Sequence, residues 1–402
     1  MRKEWKSLQL KDACTVFTDG DWIESRHQSE IGIRLVQTGN IGFGFFKNKE
    51  DKSRFISEET FKELKCTEII PGDLLISRLP DPVGKSCIIP DLNIRMITGV
   101  DCTIVRLKDN LMSEFLAFYQ MSNQYLNDVK AKVTGTTRSR ISRKNLGLIP
   151  IPIPPLTEQK QIVEILDQAF EAIDQAKANI EKNIVNANEL FQSKLNEIFS
   201  QTGEGWVERK LEDISIEFGR GKSKNRPRNE PKLFGGKYPF IQTGDVRNTE
   251  KILETYTQTY NEVGLAQSKL WPKGTICITI AANIAETAIL DFDSCFPDSI
   301  IGIVVDEEKA DTNYVYYSIQ FLKKKLQELG KGSAQDNINL GTFQKQLFPF
   351  PNLKLQKKYV SLLDTLSEQT YQLKVDYNQK LTSLEELKKS ILEKAFSGEL
   401  TN

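Results

Sequence analysis

The sequence predicts an α+β fold in which two similar domains are separated by two long antiparallel helices that pack as a coiled coil. Three observations carry this prediction. The chain repeats itself in order from one half to the other, with internal pseudo-two-fold character. Two long apolar stripes recur at helical spacing. The segment before each stripe alternates short strand-like runs with Gly, Pro and Asp.

The repeat starts at the first residues. Trp5-x4-Leu10-x-Asp12 recurs as Trp206-x4-Leu211-x-Asp213, an offset of 206 − 5 = 201. Leu35-Val36-Gln37-Thr38-Gly39-Asn40-Ile41 recurs as Phe240-Ile241-Gln242-Thr243-Gly244-Asp245-Val246, and Ile70-Pro71-Gly72-Asp73 is echoed by Trp271-Pro272-Lys273-Gly274. Pro152-Ile153-Pro154-x-Leu156 returns as Pro349-Phe350-Pro351-x-Leu353, now at 349 − 152 = 197. Such a drift is what loops produce when they gain or lose residues within two copies of one fold. The order gives a domain at 1–155, a helix at 156–202, a second domain at 203–352 and a second helix at 353–402.

Within each domain, Thr103-Ile104-Val105 and Ile300-Ile301-Gly302-Ile303-Val304-Val305 read as strands. Glu114–Tyr119 and Tyr314–Tyr317 read as short helices, and Gly39–Gly44 and Gly219-Arg220-Gly221 as turns. In the first long helix Ile162, Leu166, Ala169, Ile173, Ala176, Ile180, Ile184, Ala187, Phe191, Leu195 and Ile198 form the stripe, with Thr157 as the expected N-cap behind Pro154-Pro155. In the second, Tyr359, Leu363, Leu366, Thr370, Leu373, Tyr377, Leu381, Leu384, Leu387, Ile391 and Ala395 repeat it. A stripe this long cannot be buried by a small domain, so the two helices are expected to pack on each other.

Composition narrows the function. No apolar run is long enough to cross a bilayer and no apolar signal core follows Met1, so a soluble, cytoplasmic protein without a membrane role is expected. The cysteines (Cys14, Cys66, Cys87, Cys102, Cys277 and Cys295) form no CxxC pair and the one histidine is His27, so no zinc site is expected and proton-transfer chemistry has few carriers. Pro154-Pro155 lies between Ile153 and Leu156, unlike the Pro-Pro-aromatic segment of an amino-methyltransferase, and there is no Walker phosphate loop. Asp73 and Asp101 are isolated candidates for a nuclease metal. No catalytic residue, cofactor site or metal site is expected in this chain.

Net charge is zero, 54 Lys+Arg against 54 Asp+Glu, but it is unevenly spread. Residues 130–144 hold six basic residues and no acidic one, and residues 219–237 hold seven basic and one acidic. Helical residues 157–200 hold four basic and eight acidic, a balance of 4 − 8 = −4. Basic stretches supply phosphate contacts, and polar side chains among them can read base edges. Candidate DNA contacts in the first copy are Thr136, Thr137, Arg138, Ser139, Arg140, Arg143 and Lys144. In the second they are Arg220, Lys222, Lys224, Arg226 and Arg228, with Ser333, Gln335, Asn337 and Asn339 in the place equivalent to 136–140. Two domains spaced by a helical rod match two half-sites at fixed separation on duplex DNA, different in sequence because the domains differ.

These features resemble the specificity subunits of type I restriction-modification systems. The likeness rests on the duplicated Trp-x4-Leu-x-Asp opening, the Gln37–Ile41 run, the Pro152-Ile153-Pro154-Pro155-Leu156-x-Glu158-Gln159-x-x-Ile162 helix start, and the end Leu387–Leu400. It implies a target recognition domain in each copy, each reading half of a split double-stranded DNA sequence. It further implies spacer helices that dock two methyltransferase subunits, and restriction subunits that join them. S-adenosylmethionine would belong to the methyltransferase partner. The second copy departs from the pattern with Leu355 in place of Glu158 and Asn352 in place of Pro155, which puts identical partner contacts at the two helix starts in doubt. The alternatives are a coiled-coil adaptor without a DNA role and a self-contained methyltransferase or nuclease.

Overall fold

The computed structural model describes residues 5–135, 139–201, 203–224, 229–281, 284–331 and 339–400, with backbone alone at 324–326 and 328–331. Two compact units result, one of Met1–Ile180 with Asn378–Asn402 and one of Glu181–Tyr377.

In the first unit, Lys6–Gln9 pairs antiparallel with Pro150–Ile153. A four-stranded antiparallel sheet has the order Cys14–Asp19, Cys102–Leu107, Leu74–Ser77, Ser86–Ile88. A second sheet has the order Gln28–Ser29, Arg54–Ile56, Ile33–Val36, Met96–Thr98, Glu68–Ile69, and Ile33–Val36 runs parallel to Met96–Thr98. Leu74–Ser77 and Ile33–Val36 are buried at every residue, including Arg34 and Ser77, so they show no alternation of buried and exposed positions.

The second unit repeats most of this pairing, with one strand added to its first sheet and no counterpart of Gln28–Ser29 in its second. Val207–Arg209 pairs with Phe348–Phe350. Ser215–Arg220, Ile300–Val305, Ile276–Thr279 and Thr287–Leu290 form the first sheet in the same order, extended by Ile252–Leu253. Gln258–Tyr260, Phe234–Phe240, Ser294–Cys295 and Leu270–Trp271 form the second, again with one parallel pair, Phe234–Phe240 beside Ser294–Cys295. The turns before equivalent strands match as well: Gly72 and Gly274 both take positive φ, 88° and 86°, which glycine adopts without a steric penalty. Gly219 and Arg220, read from sequence as a turn, lie within the strand Ser215–Arg220. Its neighbour Ile300–Val305 pairs with both residues, Gly219 with Gly302 and Arg220 with Ile301, and that pairing overrides the glycine.

The long helices are Leu156–Phe199, of 44 residues, and Leu353–Ser397, of 45. In the first, the N–H groups of Glu158 and Gln159 both donate to the Pro155 carbonyl, so Thr157 lies inside the first turn rather than capping it. In the second, Asn352 Oδ1 accepts from the Leu355 N–H at 3.0 Å, an ordinary side-chain cap that proline cannot provide. The Glu158-to-Leu355 change has a partner too. The Trp5 indole N–H donates to Glu158 at 3.1 Å, whereas Trp206 lies against the Tyr359 ring at 6.1 Å.

A buried glutamine ties each long helix to its sheets. Gln159 Nε2 donates to the carbonyls of Asn110 and Pro154, and its Oε1 accepts from the Met112 N–H at 2.8 Å. Gln356 Nε2 donates to Pro351 O at 2.7 Å and its Oε1 accepts from the Asp311 N–H at 2.9 Å. Both serve the turn between the strand at Cys102–Leu107 or Ile300–Val305 and the helix that follows it.

The long helices run antiparallel within each unit. In the first, Lys388 bonds Asp174 while Lys177 pairs with Glu385, and Ile162, Leu166 and Phe170 share a core with Leu392, Ala395 and Phe396. In the second, Leu195, Ile198 and Phe199 share a core with Val360 and Leu363, and the Tyr359 hydroxyl donates to Gln201. The stripe differs from the sequence reading at Leu373 and Leu387, which are exposed. Lys388 takes the inward place beside Leu387, laying its stem over the Phe170 ring at 4.3 Å with its ammonium on Asp174.

The helix read at Tyr314–Tyr317 extends over Thr312–Lys331. In the first unit the equivalent stretch is broken into Ser113–Tyr119 and Asn123–Lys130, because the Ser122 hydroxyl accepts from the Tyr125 N–H and starts a new helix. All six cysteines are buried and unpaired; burial pushes the Cys14, Cys87 and Cys102 thiols up to about 12.

Replacing either buried glutamine by leucine strands a backbone N–H and removes the helix anchor. Gln159→Leu and Gln356→Leu are each expected to lower stability by about 1–3 kcal/mol. The midpoint of urea unfolding measures the loss, and an unchanged midpoint would exclude the anchoring role.

Candidate nucleic-acid interface

In each unit the chain crosses from the second sheet to the first through a short turn, at 99–101 in one and 296–299 in the other. A glycine packs onto each turn. The Gly20 N–H donates to Cys102 O and the Gly221 N–H to Ile300 O, both at 2.9 Å, and the spacing is again 221 − 20 = 201. A Cβ on Gly20 would stand 2.3 Å from Thr98 O, and one on Gly221 would stand 2.3 Å from Phe296 O. Only glycine permits that approach.

Beside each turn lies a cavity. The first, of about 210 Å³, is lined by Asp21, Trp22, Gln37, Thr38 and residues 99–102. The second, of about 340 Å³, is lined by Asn229, Phe240, Gln242, Thr243, Gln258 and Ser299. The repeated Gln-Thr pair therefore lines a cavity in both units. The local geometry of that pair is shared: Asn40 Oδ1 accepts from the Gln37 N–H at 3.0 Å and Asp245 Oδ2 from the Gln242 N–H at 2.8 Å. Gln242 Nε2 also donates to Gln258 at 2.7 Å.

An arginine is fastened to each turn. Arg140 pairs with Asp101 at 3.0 Å, and Arg220 Nε donates to Asp298 O at 2.6 Å. In the first unit the buried Arg78 backs the arrangement. Its Nη2 donates to Val100 O, its Nε lies 3.3 Å from Asp19, and its carbonyl accepts from the Ile141 N–H. Burial lowers the Arg78 pKa, partly offset by Asp19. Burial raises the Asp21 carboxyl, against which the Thr67 N–H works by donating to Oδ2.

The other expected contacts are spread over several elements. Ser139 is exposed next to a closed 134–140 bridge in which Thr134 and Arg140 exchange backbone bonds. Arg143 and Lys144 are exposed on the first turn of Arg143–Gly147, and Arg143 reaches Thr18 Oγ1 at 3.3 Å. Lys222 and Lys224 are exposed, and the Lys222 carbonyl accepts from the Ser268 hydroxyl. Asn339 caps Leu340–Gln344 by accepting from the Thr342 N–H, which engages its amide oxygen in the fold. Thr136, Thr137, Arg138, Arg226, Arg228, Ser333, Gln335 and Asn337 lie outside the described residues. Of the carboxylates considered for a metal, Asp73 is held by Arg106 at 2.8 Å and Asp101 by Arg140; no acidic or thiol cluster suited to a metal occurs among the described residues.

Sequence reasoning found the Gln-Thr repeat but not its place in a cavity, and it missed Gly20, Arg78 and Trp22. Gly20 was within reach, because its spacing to Gly221 equals that of Trp5 to Trp206. Trp22 is 70% exposed, unusual for so large an apolar ring.

Gly20→Ala and Gly221→Ala should each cost about 1–3 kcal/mol by forcing the turn away. Thermal unfolding of the two variants checks this, and melting unchanged from the parent would show that the turns yield freely.

Comparison with known proteins places these observations in context. The profile of the type I restriction modification DNA specificity domain matches residues 2–185 and again residues 203–383. The putative type I restriction enzyme MjaX specificity subunit of Methanocaldococcus jannaschii is 21% identical over 99% of this chain and 94% of its own. The type I restriction enzyme EcoKI specificity subunit of Escherichia coli K12 is 26% identical over 92% of this chain and 82% of its own. Among solved structures, the HsdS subunit from Thermoanaerobacter tengcongensis superposes with a TM-score of 0.64 at 18% identity, covering 99% of this chain and 97% of its own. A chain from a structure describing assembly and conformational transition of the type I R-M system superposes at 0.80, also at 18% identity, over 99% of both chains.

Proposed function

The chain belongs to the type I restriction-modification DNA specificity family, and we propose that each of its two units reads one half of a bipartite, asymmetric double-stranded DNA target on behalf of a methyltransferase partner. The observation that carries this reading is the pair of units with one strand topology and different loop chemistry. A shared scaffold supplies the same mode of approach twice, and different linings supply different base preferences.

The basic side chains around each turn supply the sequence-independent part of the affinity. Arg140, Arg143 and Lys144 do so in the first unit, and Arg220, Lys222 and Lys224 in the second. The two long helices set the interval between the half-sites and dock two methyltransferase subunits, with restriction subunits joining that core. Their exposed apolar residues, among them Val185, Leu190, Leu362 and Leu373, suit protein contact better than water. The chain itself carries no methyl transfer: S-adenosylmethionine and the catalytic groups belong to the methyltransferase subunit.

Two measurements test the reading. The purified chain, incubated with labelled S-adenosylmethionine and duplex DNA, is expected to incorporate no label until a methyltransferase subunit is added; turnover by the chain alone would overturn it. Reversing Arg220, Lys222 and Lys224 together to glutamate is expected to weaken binding to all duplexes. It should also flatten the slope of log affinity against log salt by about 0.9 for each phosphate that is no longer neutralised. A slope equal to that of the parent would remove these residues from the interface.

A further inference from the structure

We propose that the cavity beside the sheet-to-sheet turn is the base-edge reading pocket of each unit: its repeated Gln-Thr pair and rim arginine hold the DNA backbone, and the groups that differ between the two cavities set base preference. The proposal rests on the DNA-reading function proposed above and assigns it to particular atoms.

The two cavities occupy one position in one topology. Each lies between the residues following an equivalent strand, Ile33–Val36 or Phe234–Phe240, and the turn clamped by Gly20 or Gly221. What the copies share is chemistry that suits any duplex. Gln and Thr side chains donate to phosphate oxygens, and the exposed arginine on each turn adds the charge. Where the copies differ, they differ in what a base edge would sense. The first cavity offers the carboxylates of Asp21 and Asp101, which accept only, beside the exposed Trp22 ring. Acceptors fit the exocyclic amine of cytosine or adenine, and the indole offers apolar contact to a thymine methyl. The second cavity offers the amides of Asn229 and Gln258, which both donate and accept, and this combination matches adenine. The segment after the clamped glycine diverges in the same sense, from Asp21-Trp22-Ile23 to Lys222-Ser223-Lys224.

The test uses the full chain with a methyltransferase subunit and selects bound duplexes from a randomised library for sequencing. Gly99 lines the first cavity, its φ is not positive, and a Cβ there would meet nothing within 4 Å, so Gly99→Leu fills space without straining the backbone. It is expected to weaken binding through the first half-site by about tenfold or more while the preferences of the second half-site stay as they are. Ser299→Leu is expected to do the converse. Asp21→Asn keeps an acceptor for the Thr67 N–H and should change the preferred base at one position of the first half-site only. Gln37→Ala with Thr38→Val should weaken binding with no change in preference. Thermal melting separates these effects from unfolding, and Gly99→Ala serves as the milder filling variant. Filled, folded variants that select the same sites with parental affinity would overturn the pocket assignment while leaving the chain a DNA reader. Variants that keep their DNA sites but lose the methyltransferase subunit would assign the cavity to that partner and overturn the proposal. A parent complex that selects no sequence would overturn the DNA reading itself.

Discussion

The close passage of one glycine over one turn governs each unit. Where the chain leaves the second sheet for the first, it has three or four residues in which to turn, and the strand end at Gly20 or Gly221 crosses that turn within 2.3 Å of where a Cβ would stand. Both sheets are fixed against each other there, because the turn joins Met96–Thr98 to Cys102–Leu107 in one unit and Ser294–Cys295 to Ile300–Val305 in the other. The turn makes one wall of each cavity and the Gln-Thr pair closes the space from the neighbouring strand, while in the first unit the residues after the glycine supply a further wall.

The duplication and the two long helices were legible in sequence because each leaves a periodic trace: an ordered set of matches at a nearly constant offset, and apolar residues every three or four positions. Sheet order left no such trace. That Ile33–Val36 runs parallel to Met96–Thr98, sixty residues away in the chain by the difference 96 − 36 = 60, depends on long-range pairing that local composition does not encode. The length of Thr312–Lys331 was missed because helix ends are set by caps, and the second copy lacks the serine that interrupts the first. The inward Lys388 was missed because periodicity counts apolar residues, whereas a lysine can bury its stem and keep its charge on a partner.

The candidate site was legible in part, for a related reason. Basic and polar stretches stand out in composition, so Arg140 and Arg220 were found, but composition does not say that one arginine is tied to a carboxylate and the other to a carbonyl of the equivalent turn. Asn339 shows a second role that residue type alone does not reveal: an asparagine is also an ordinary helix cap, and here the cap engages its oxygen. Arg78 was invisible because its value lies in burial, and a single arginine in a strand-like run gives no hint that it will bridge Val100 and Asp19.

Divergence between the copies is confined to places where the scaffold tolerates it. The buried glutamines Gln159 and Gln356 keep one role, since each accepts from a backbone N–H in the turn that leads into the next helix. At the surface of the same helix start, Glu158 and Leu355 differ freely once the tryptophan that packs there takes a ring rather than a carboxylate as its neighbour. The cavities follow the same logic. The glycine cannot gain a side chain without moving the turn that joins both sheets, whereas the side chains facing the open space can change without disturbing the strand pairing. A fold built this way separates the requirement to fold from the requirement to discriminate. It can therefore carry two differently lined cavities in one chain, each altered at its lining alone.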